Sequence, residues 1–383
     1  CRLLVSVSQL DSARARRARV VITGQMYALT PAAGGTGDVG HGSVGAACDA
    51  HCVSQCWGRP ATEPGSGWAV VDVETSGFHP GEHRVLSVAV LALDADGRVQ
   101  GSVASLLNPG VDPGPTHIHG LTAEMLEDQP TFAEIAGEVA ELMAGRTLVA
   151  HNAAFDYSFL VAEAELAGAE LPIETVMCTV ELARRLDLGL DNVRLETLAR
   201  HWGQCQTRPH DAFDDALVLS KLLVPALALA EERDVWLPVR PLTRRRWPNG
   251  RVTHEELRPL KALASRLPCP YENPGRYNGG PLLRGMRVAL SAECSRTHEE
   301  LVERMLYAGL AYADTVDPQT SLVVCNDARS ARGKGLTARE LGVPLLTDSE
   351  FMAGVRDVCA GGGIVAEPAE VSGVPDDGQF ALF

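Results

Sequence analysis

Residues 68–74 read Trp-Ala-Val-Val-Asp-Val-Glu, an apolar run that takes in two acids, Asp72 and Glu74. Such a run, with the turn residues Gly77 and Pro80 after it, predicts a buried strand. In a strand, residues i and i+2 project to one face. Asp72 and Glu74 therefore point the same way, and two desolvated carboxylates in that position require a shared proton or a cation between them. An edge strand facing water would also tolerate the pair, so the rest of the chain must decide.

The pattern from residue 84 onward predicts an α/β domain. Residues 84–94 and 97–107 read as two further strands, joined at Asp94 to Gly97 by a hairpin signal. A short helix begins at Thr122. Over 131–145, Phe132, Ile135, Val139 and Leu142 recur at helical spacing, with Gly145 as a stop. Residues 147–152 form a short strand that leads into a helix from Ala153, and two more helices cover about 192–202 and 211–231. Strands first, then helices alternating with a strand, indicate a mixed sheet flanked by helices.

More acids stand at the element boundaries. Asp156 lies just inside the helix after the 147–152 strand, with Asn152 placed to cap it. The stretch HDAFDDA carries His210, Asp211, Asp214 and Asp215 at the start of another helix. Positions four or five apart on a helix are little more than one turn apart, so His210 and Asp215 can address one site. His151 and His201 read as packed or helix-end residues, and the Gly and Thr of IHGLT (118–122) as a turn and a cap.

Together DVETSG (72–77), HNAAFD (151–156) and HDAFDDA (210–216) resemble the motifs of the DEDDh 3′-to-5′ exonuclease family, whose bacterial type is the epsilon proofreading subunit of DNA polymerase III. The resemblance covers residues 68–230. It implies an RNase H-like fold and removal of nucleotides from a 3′ end. It makes Asp72, Glu74, Asp156 and Asp215 the ligands of two divalent ions, Mg²⁺ or Mn²⁺, and His210 the base. It also makes Thr75 a substrate contact, with Asn152 beside it, whereas Asp211 and Asp214 match no ligand position. The chemistry agrees. Phosphodiester hydrolysis needs an activated water and relief of charge on the phosphate oxygens. Hard cations favour carboxylate oxygen, and a histidine can accept a proton near neutral pH.

Residues 233–280 are expected to be a basic, proline-rich connector. Between 240 and 276 stand nine Lys or Arg against three acids, in a chain of formal net charge −15. Arg244, Arg245, Arg246 and Trp247 pair charges for phosphate with an aromatic face for a base, and suit nucleic acid. THEE (253–256) reads as a capping box that opens a helix.

Residues 281–358 carry a second α/β pattern. Gly285, the ALS at 289–291, Ala308-Gly309, Gly333-Lys334, Ala338, Leu341-Gly342 and Phe351 resemble a BRCT domain of the bacterial kind, with Phe351 where a Trp is usual and Ala292 where Gly is common. The resemblance offers Ser291 and Lys334 as holders of a phosphate, on a 5′-phosphorylated DNA end or a phosphoprotein, although Ala292 favours a domain without one. A tail over 359–383 ends in GQFALF, in which Gln379, Leu382 and Phe383 match the bacterial sliding-clamp peptide.

The acidic balance excludes a globally cationic nucleic-acid glove, and no apolar stretch is long enough to span a bilayer. The ten scattered cysteines suit a reducing cytoplasm. Residues 1–66, rich in Gly, Ala and Ser, are expected to be a disordered extension or sequence upstream of the natural start, and Cys48, His51, Cys52 and Cys56 within them make one cluster where zinc sites bring two. The expectation is an exodeoxyribonuclease with DNA 3′ ends, a sliding clamp and a polymerase as partners. An exoribonuclease and an inactive clamp adaptor are the alternatives.

Overall fold

The computed structural model describes residues 67–242, 245–246, 252–253 and 260–361. Cys48, His51, Cys52, Cys56, Arg244, Trp247, residues 254–256, Gln379, Leu382 and Phe383 lie outside the described residues, and of Arg245 and Arg246 only the backbone is described. The chain divides into two compact units, with the boundary at Arg258/Pro259.

The first unit is built on six strands: β1 (Trp68–Thr75), β2 (Val85–Leu93), β3 (Val99–Leu106), β4 (Thr147–Ala150), β5 (Thr175–Cys178) and β6 (Val239–Pro241). Its helices of seven residues or more are α1 (Phe132–Met143), α2 (Ala153–Ala167), α3 (Thr179–Leu186), α4 (Leu195–His201) and α5 (Ala212–Glu232). The strand order is β3-β2-β1-β4-β5-β6. β1 pairs antiparallel with β2 and parallel with β4, so it lies inside a mixed α/β sheet, as the sequence predicts.

Alternation along β1 sorts its side chains into two cores. Ala69, Val71 and Val73 pack with Phe132, Ile135 and Val139 of α1 and Tyr157 and Leu160 of α2. Trp68 and Val70 face the other way, onto Leu182 of α3 and Leu219 and Leu223 of α5. Asp72 and Glu74 continue the Trp68–Val70 row, toward the face that carries α5. The register with β2 shifts between Glu74 and Thr75. A bulge re-aims side chains and ends regular pairing, and this one sits at the carboxyl end of β1.

Three elements correct the sequence reading. β5 and α3 lie in a stretch whose pattern predicts no element: β5 is only four residues long, too short for a period to emerge. β6 falls within the expected connector, yet Arg240 pairs with Val176 and completes the sheet. β7 (Arg245–Arg246) and β8 (Val252–Thr253) pair as an antiparallel ribbon, with Arg245 opposite Thr253; the helix expected after Thr253 falls on residues outside those described.

The second unit is a four-stranded parallel sheet, ordered β10-β9-β11-β12, from β9 (Arg287–Leu290), β10 (Ala311–Ala313), β11 (Leu322–Val324) and β12 (Leu345–Leu346). With it come α6 (Leu260–Ala264), α7 (His298–Tyr307), α8 (Gly333–Glu340) and α9 (Asp348–Gly354). Leu301, Val302 and Met305 of α7 are buried, as their spacing predicts, while Leu306 is half-buried. Gly285 has φ +86°, and a Cβ there would lie 2.1 Å from the Glu272 carbonyl oxygen, so the turn into β9 admits no side chain. No helix among the described residues is long and apolar enough to cross a membrane, and the six cysteines among them are free thiols.

Candidate active site

The site forms where β1 ends. Asp156, buried on the first turn of α2, accepts the Val73 N–H on Oδ1 at 3.2 Å. That bond joins α2 to β1 between the two strand acids. Asp215, buried on the first turn of α5, comes from the opposite face of the sheet. Ligand atoms of Glu74, His210 and Asp215 lie within 4.8 Å of one another. Asp72 feels the charges of Asp156, Asp215, Glu74 and Asp211. Three sequence segments therefore converge on one acidic cluster.

Electrostatics record the crowding. Burial first, then the charges of Asp156, Asp215, Glu74 and Asp211, push the Asp72 carboxyl well above its ordinary range. Burial, then Asp215, Asp156 and Asp211, raise Glu74 to about 8. Burial raises Asp156 to about 7, against two backbone hydrogen bonds that pull it down. Asp215 is also raised by burial, although hydrogen bonds from Gln206 and the His210 N–H oppose the shift. In the metal-free protein the cluster thus retains protons that free carboxyls lose. A divalent cation would remove that penalty, and an oxygen-rich donor set with one imidazole suits hard Mg²⁺ or Mn²⁺.

His210 is exposed and has φ +64°. Its N–H donates to Asp215 Oδ2 at 3.1 Å. The neighbouring acids serve the backbone instead. Asp211 caps α5 by accepting the Asp214 N–H. Asp214 accepts hydrogen bonds from Thr207 and Arg208. Burial alone would raise the Asp214 carboxyl, but those donors hold it below its ordinary range.

One expectation changes in detail. Asn152 occupies the N-cap position of α2, but in the left-handed region at φ +77°, and its side chain makes no capping hydrogen bond. An Asn tolerates that conformation, and the residue is exposed. Thr75 is buried, and its hydroxyl donates to the Gly77 carbonyl at 2.7 Å. His151 is a packed residue. Its Nδ1 meets Thr179 Oγ1 at 3.1 Å, and burial lowers it to about 4 despite a hydrogen bond with the Val193 backbone. His201 stacks edge-on against Trp202.

A brace that sequence reading missed supports the cluster. Glu163 is buried two turns beyond Asp156 on α2, and it takes a bidentate pair from Arg84 at 2.8 and 2.9 Å as well as the Val85 N–H at 3.0 Å. Seven residues is nearly two full turns, so Glu163 and Asp156 share a helix face. The Gly114 backbone packs against Ser76, two residues past Glu74, where a Cβ would come within 2.1 Å of the carbonyl oxygen. His119 ties that loop together by accepting the Leu121 N–H on Nδ1 and donating from Nε2 to the Pro113 carbonyl. Phe78, four residues past Glu74, leaves 70% of its surface exposed.

In the second unit, the two side chains expected to hold a phosphate each have an internal carboxylate partner. The buried Ser291 hydroxyl donates to Glu293, and Lys334 Nζ lies 3.8 Å from Asp314.

The family described as Exonuclease (RNase_T) matches residues 69–223, a span that holds all five residues of the cluster. The chain is 32% identical over 161 residues to the DNA polymerase III subunit epsilon of Treponema pallidum (strain Nichols), covering 41% of this chain and 74% of that protein. It is 33% identical over 171 residues to the PolC-type DNA polymerase III of Clostridium perfringens, covering 44% of this chain and only 12% of that much longer protein. A solved structure, exonuclease X in complex with 5′ overhanging duplex DNA, is 26% identical at a TM-score of 0.35, covering 42% of this chain and 91% of that one.

Proposed function

Because this chain belongs to the exonuclease family, we propose that it is a metal-dependent 3′-to-5′ exonuclease of the DEDDh kind, acting on DNA 3′ ends in replication fidelity or repair in the cytoplasm. One observation carries this reading: four carboxylates from three segments meet beside one imidazole, where burial raises them all and repulsion from the other acids raises Asp72 and Glu74 further.

Asp72, Glu74, Asp156 and Asp215 would hold Mg²⁺ or Mn²⁺. When bound, the ions supply positive charge against the phosphate oxygens and make water a stronger acid. His210 accepts the proton of the attacking water on its imidazole, whose solvent-facing ring can then release it. Asp215 orients that residue through the His210 N–H. Asn152 offers an exposed amide ahead of Asp156, Thr75 shapes the bulge beside Glu74, and Phe78 presents a face on which a terminal base can stack. Arg244, Arg245, Arg246 and Trp247 extend the contact to the nucleic-acid backbone.

The second unit is read as a BRCT domain over 281–358, supported by its parallel four-stranded sheet. The engagement of Ser291 and Lys334 by Glu293 and Asp314 favours a partner protein over a phosphate for it. Gln379, Leu382 and Phe383 would dock a sliding clamp, and tethering there raises the effective concentration at DNA.

The test uses single-stranded DNA and RNA oligonucleotides with either end blocked, incubated with the full chain and Mg²⁺ or Mn²⁺. DNA with a free 3′ end is shortened stepwise, and a 3′ block stops it. Degradation that starts at the 5′ end, or no cleavage of either nucleic acid, would sink the proposal. RNA degraded in preference to DNA would move the substrate to the alternative class.

A further inference from the structure

The loop that carries His210 is shaped by an acid outside the ligand set. Residues 206–211 lead into α5. Asp214, on the first turn of that helix, accepts the Thr207 and Arg208 N–H groups on Oδ2, both at 2.8 Å, and the Thr207 hydroxyl on Oδ1 at 2.7 Å. The Asp214 N–H donates in turn to Asp211 Oδ1 at 3.0 Å. The loop is thus tied at 207–208 by one carboxylate and at 211 by its role as helix cap.

Only Pro209 and His210 lie between those ties. Proline fixes its own φ, which leaves His210 as the residue that must close the span. It does so at φ +64°, a left-handed conformation uncommon for residues that carry a Cβ, which His, like Asn and Asp, adopts more readily than most. Such a backbone persists only where its surroundings over-determine it. Consecutive helix positions point about 100° apart. When Asp215 faces the acidic cluster, Asp214 therefore turns back beneath the loop, where three protein donors occupy its two oxygens.

We propose that Asp214 is a positioning residue for His210: beside the Asp215 carboxylate that accepts the His210 N–H, its own carboxylate clasps the 207–208 backbone and so holds the imidazole against Glu74 and Asp215, without touching metal or substrate. This deepens the nuclease reading and rests on it.

The experiment compares the unmutated chain with D214A, D214N, H210A and the D214A/H210A double variant. Turnover is measured on a 5′-labelled single-stranded oligodeoxynucleotide, and Mn²⁺ affinity by electron paramagnetic resonance. D214A is expected to lower kcat about 10²-fold, the scale of a misplaced catalytic group, with Mn²⁺ affinity unchanged. D214N keeps an oxygen for the two N–H donors and an amide that can donate to Thr207, so it should recover most of that loss. In the H210A background, D214A should cost nothing further, because residues acting as one unit are not additive. The proposal is overturned by wild-type kcat in D214A, by D214N as inactive as D214A with weakened Mn²⁺ binding, or by a further 10²-fold loss on top of H210A. Should D214A not fold, Thr207→Val takes its place. It removes one donor and should lower kcat severalfold at constant Mn²⁺ affinity, and an unchanged kcat would overturn the idea equally. An inert wild-type chain would refute the nuclease reading itself, whereas an active wild type with an indifferent Asp214 refutes only the positioning role.

Discussion

Replacing Asp156 by Asn should raise stability and abolish activity at once. The carboxyl is buried, and burial lifts it from 3.8 to about 7 in the metal-free protein. Proton linkage sets the sign. Below pH ~4 the folded and unfolded chains both hold the proton, and the side chain contributes no pH dependence. As pH rises from about 4 to 7 the unfolded chain loses its proton while the folded chain keeps it, so stability falls by about 1.4 kcal/mol per unit. Over some three units the cost reaches about 4 kcal/mol. Asparagine never titrates, and its amide oxygen can still accept the Val73 N–H that Asp156 accepts at 3.2 Å. D156N should therefore match the wild type near pH 4 and exceed it by about 2–4 kcal/mol at pH 8 in EDTA, which is a rise of roughly 5–15 °C in the melting of a domain this size. Adding Mn²⁺ should stabilise the wild type by about 3 kcal/mol at a hundredfold excess over Kd and leave the variant little changed. Hydrolysis by D156N should fall at least ~10²-fold. Circular dichroism melts from pH 4 to 8.5, paired with a nuclease assay at pH 8, decide the matter. A variant less stable than the wild type at pH 8 without metal, or a difference equal at pH 4 and pH 8, would refute the reasoning.

Other perturbations separate the parts of the site. Asp72→Ala should abolish hydrolysis and weaken Mn²⁺ binding in a calorimetric titration, and unchanged activity would remove the ligand assignment. His210→Gln should lower kcat about 10²–10⁴-fold with Mn²⁺ affinity intact. Arg84→Met leaves the buried Glu163 carboxylate unpaired and should destabilise the first unit by about 3 kcal/mol in urea melts, more than a surface ion pair could. Deleting residues 379–383 should abolish binding to a bacterial sliding clamp in surface plasmon resonance while sparing hydrolysis of free DNA.

The two strand acids were legible because strand periodicity is local: Asp72 and Glu74 sit two residues apart, and nothing distant can change the face they share. Asp156 and Asp215 stood at predicted helix starts, and His210 stood just ahead of one. Their membership of one site came from motif resemblance, since spacing along the chain does not fix distance through space. The short strands β5 and β6 were not legible. Four and three residues carry no period, and β6 is a strand only because Val176 offers it a partner.

Sequence by itself determined the alternating frame of β1, the helical faces of α1 and α7, and the residue types able to do metal-assisted hydrolysis. Tertiary structure alone decided how the adjacent acids divide their work: Asp215 turns into the cluster while Asp211 and Asp214 serve the loop backbone. It also decided that Arg84 meets Glu163 across 79 residues and that His210 is held left-handed. The reason is physical. A carboxylate's role depends on which donors and charges surround it, and those neighbours arrive from elsewhere in the chain only when the sheet and its helices have packed.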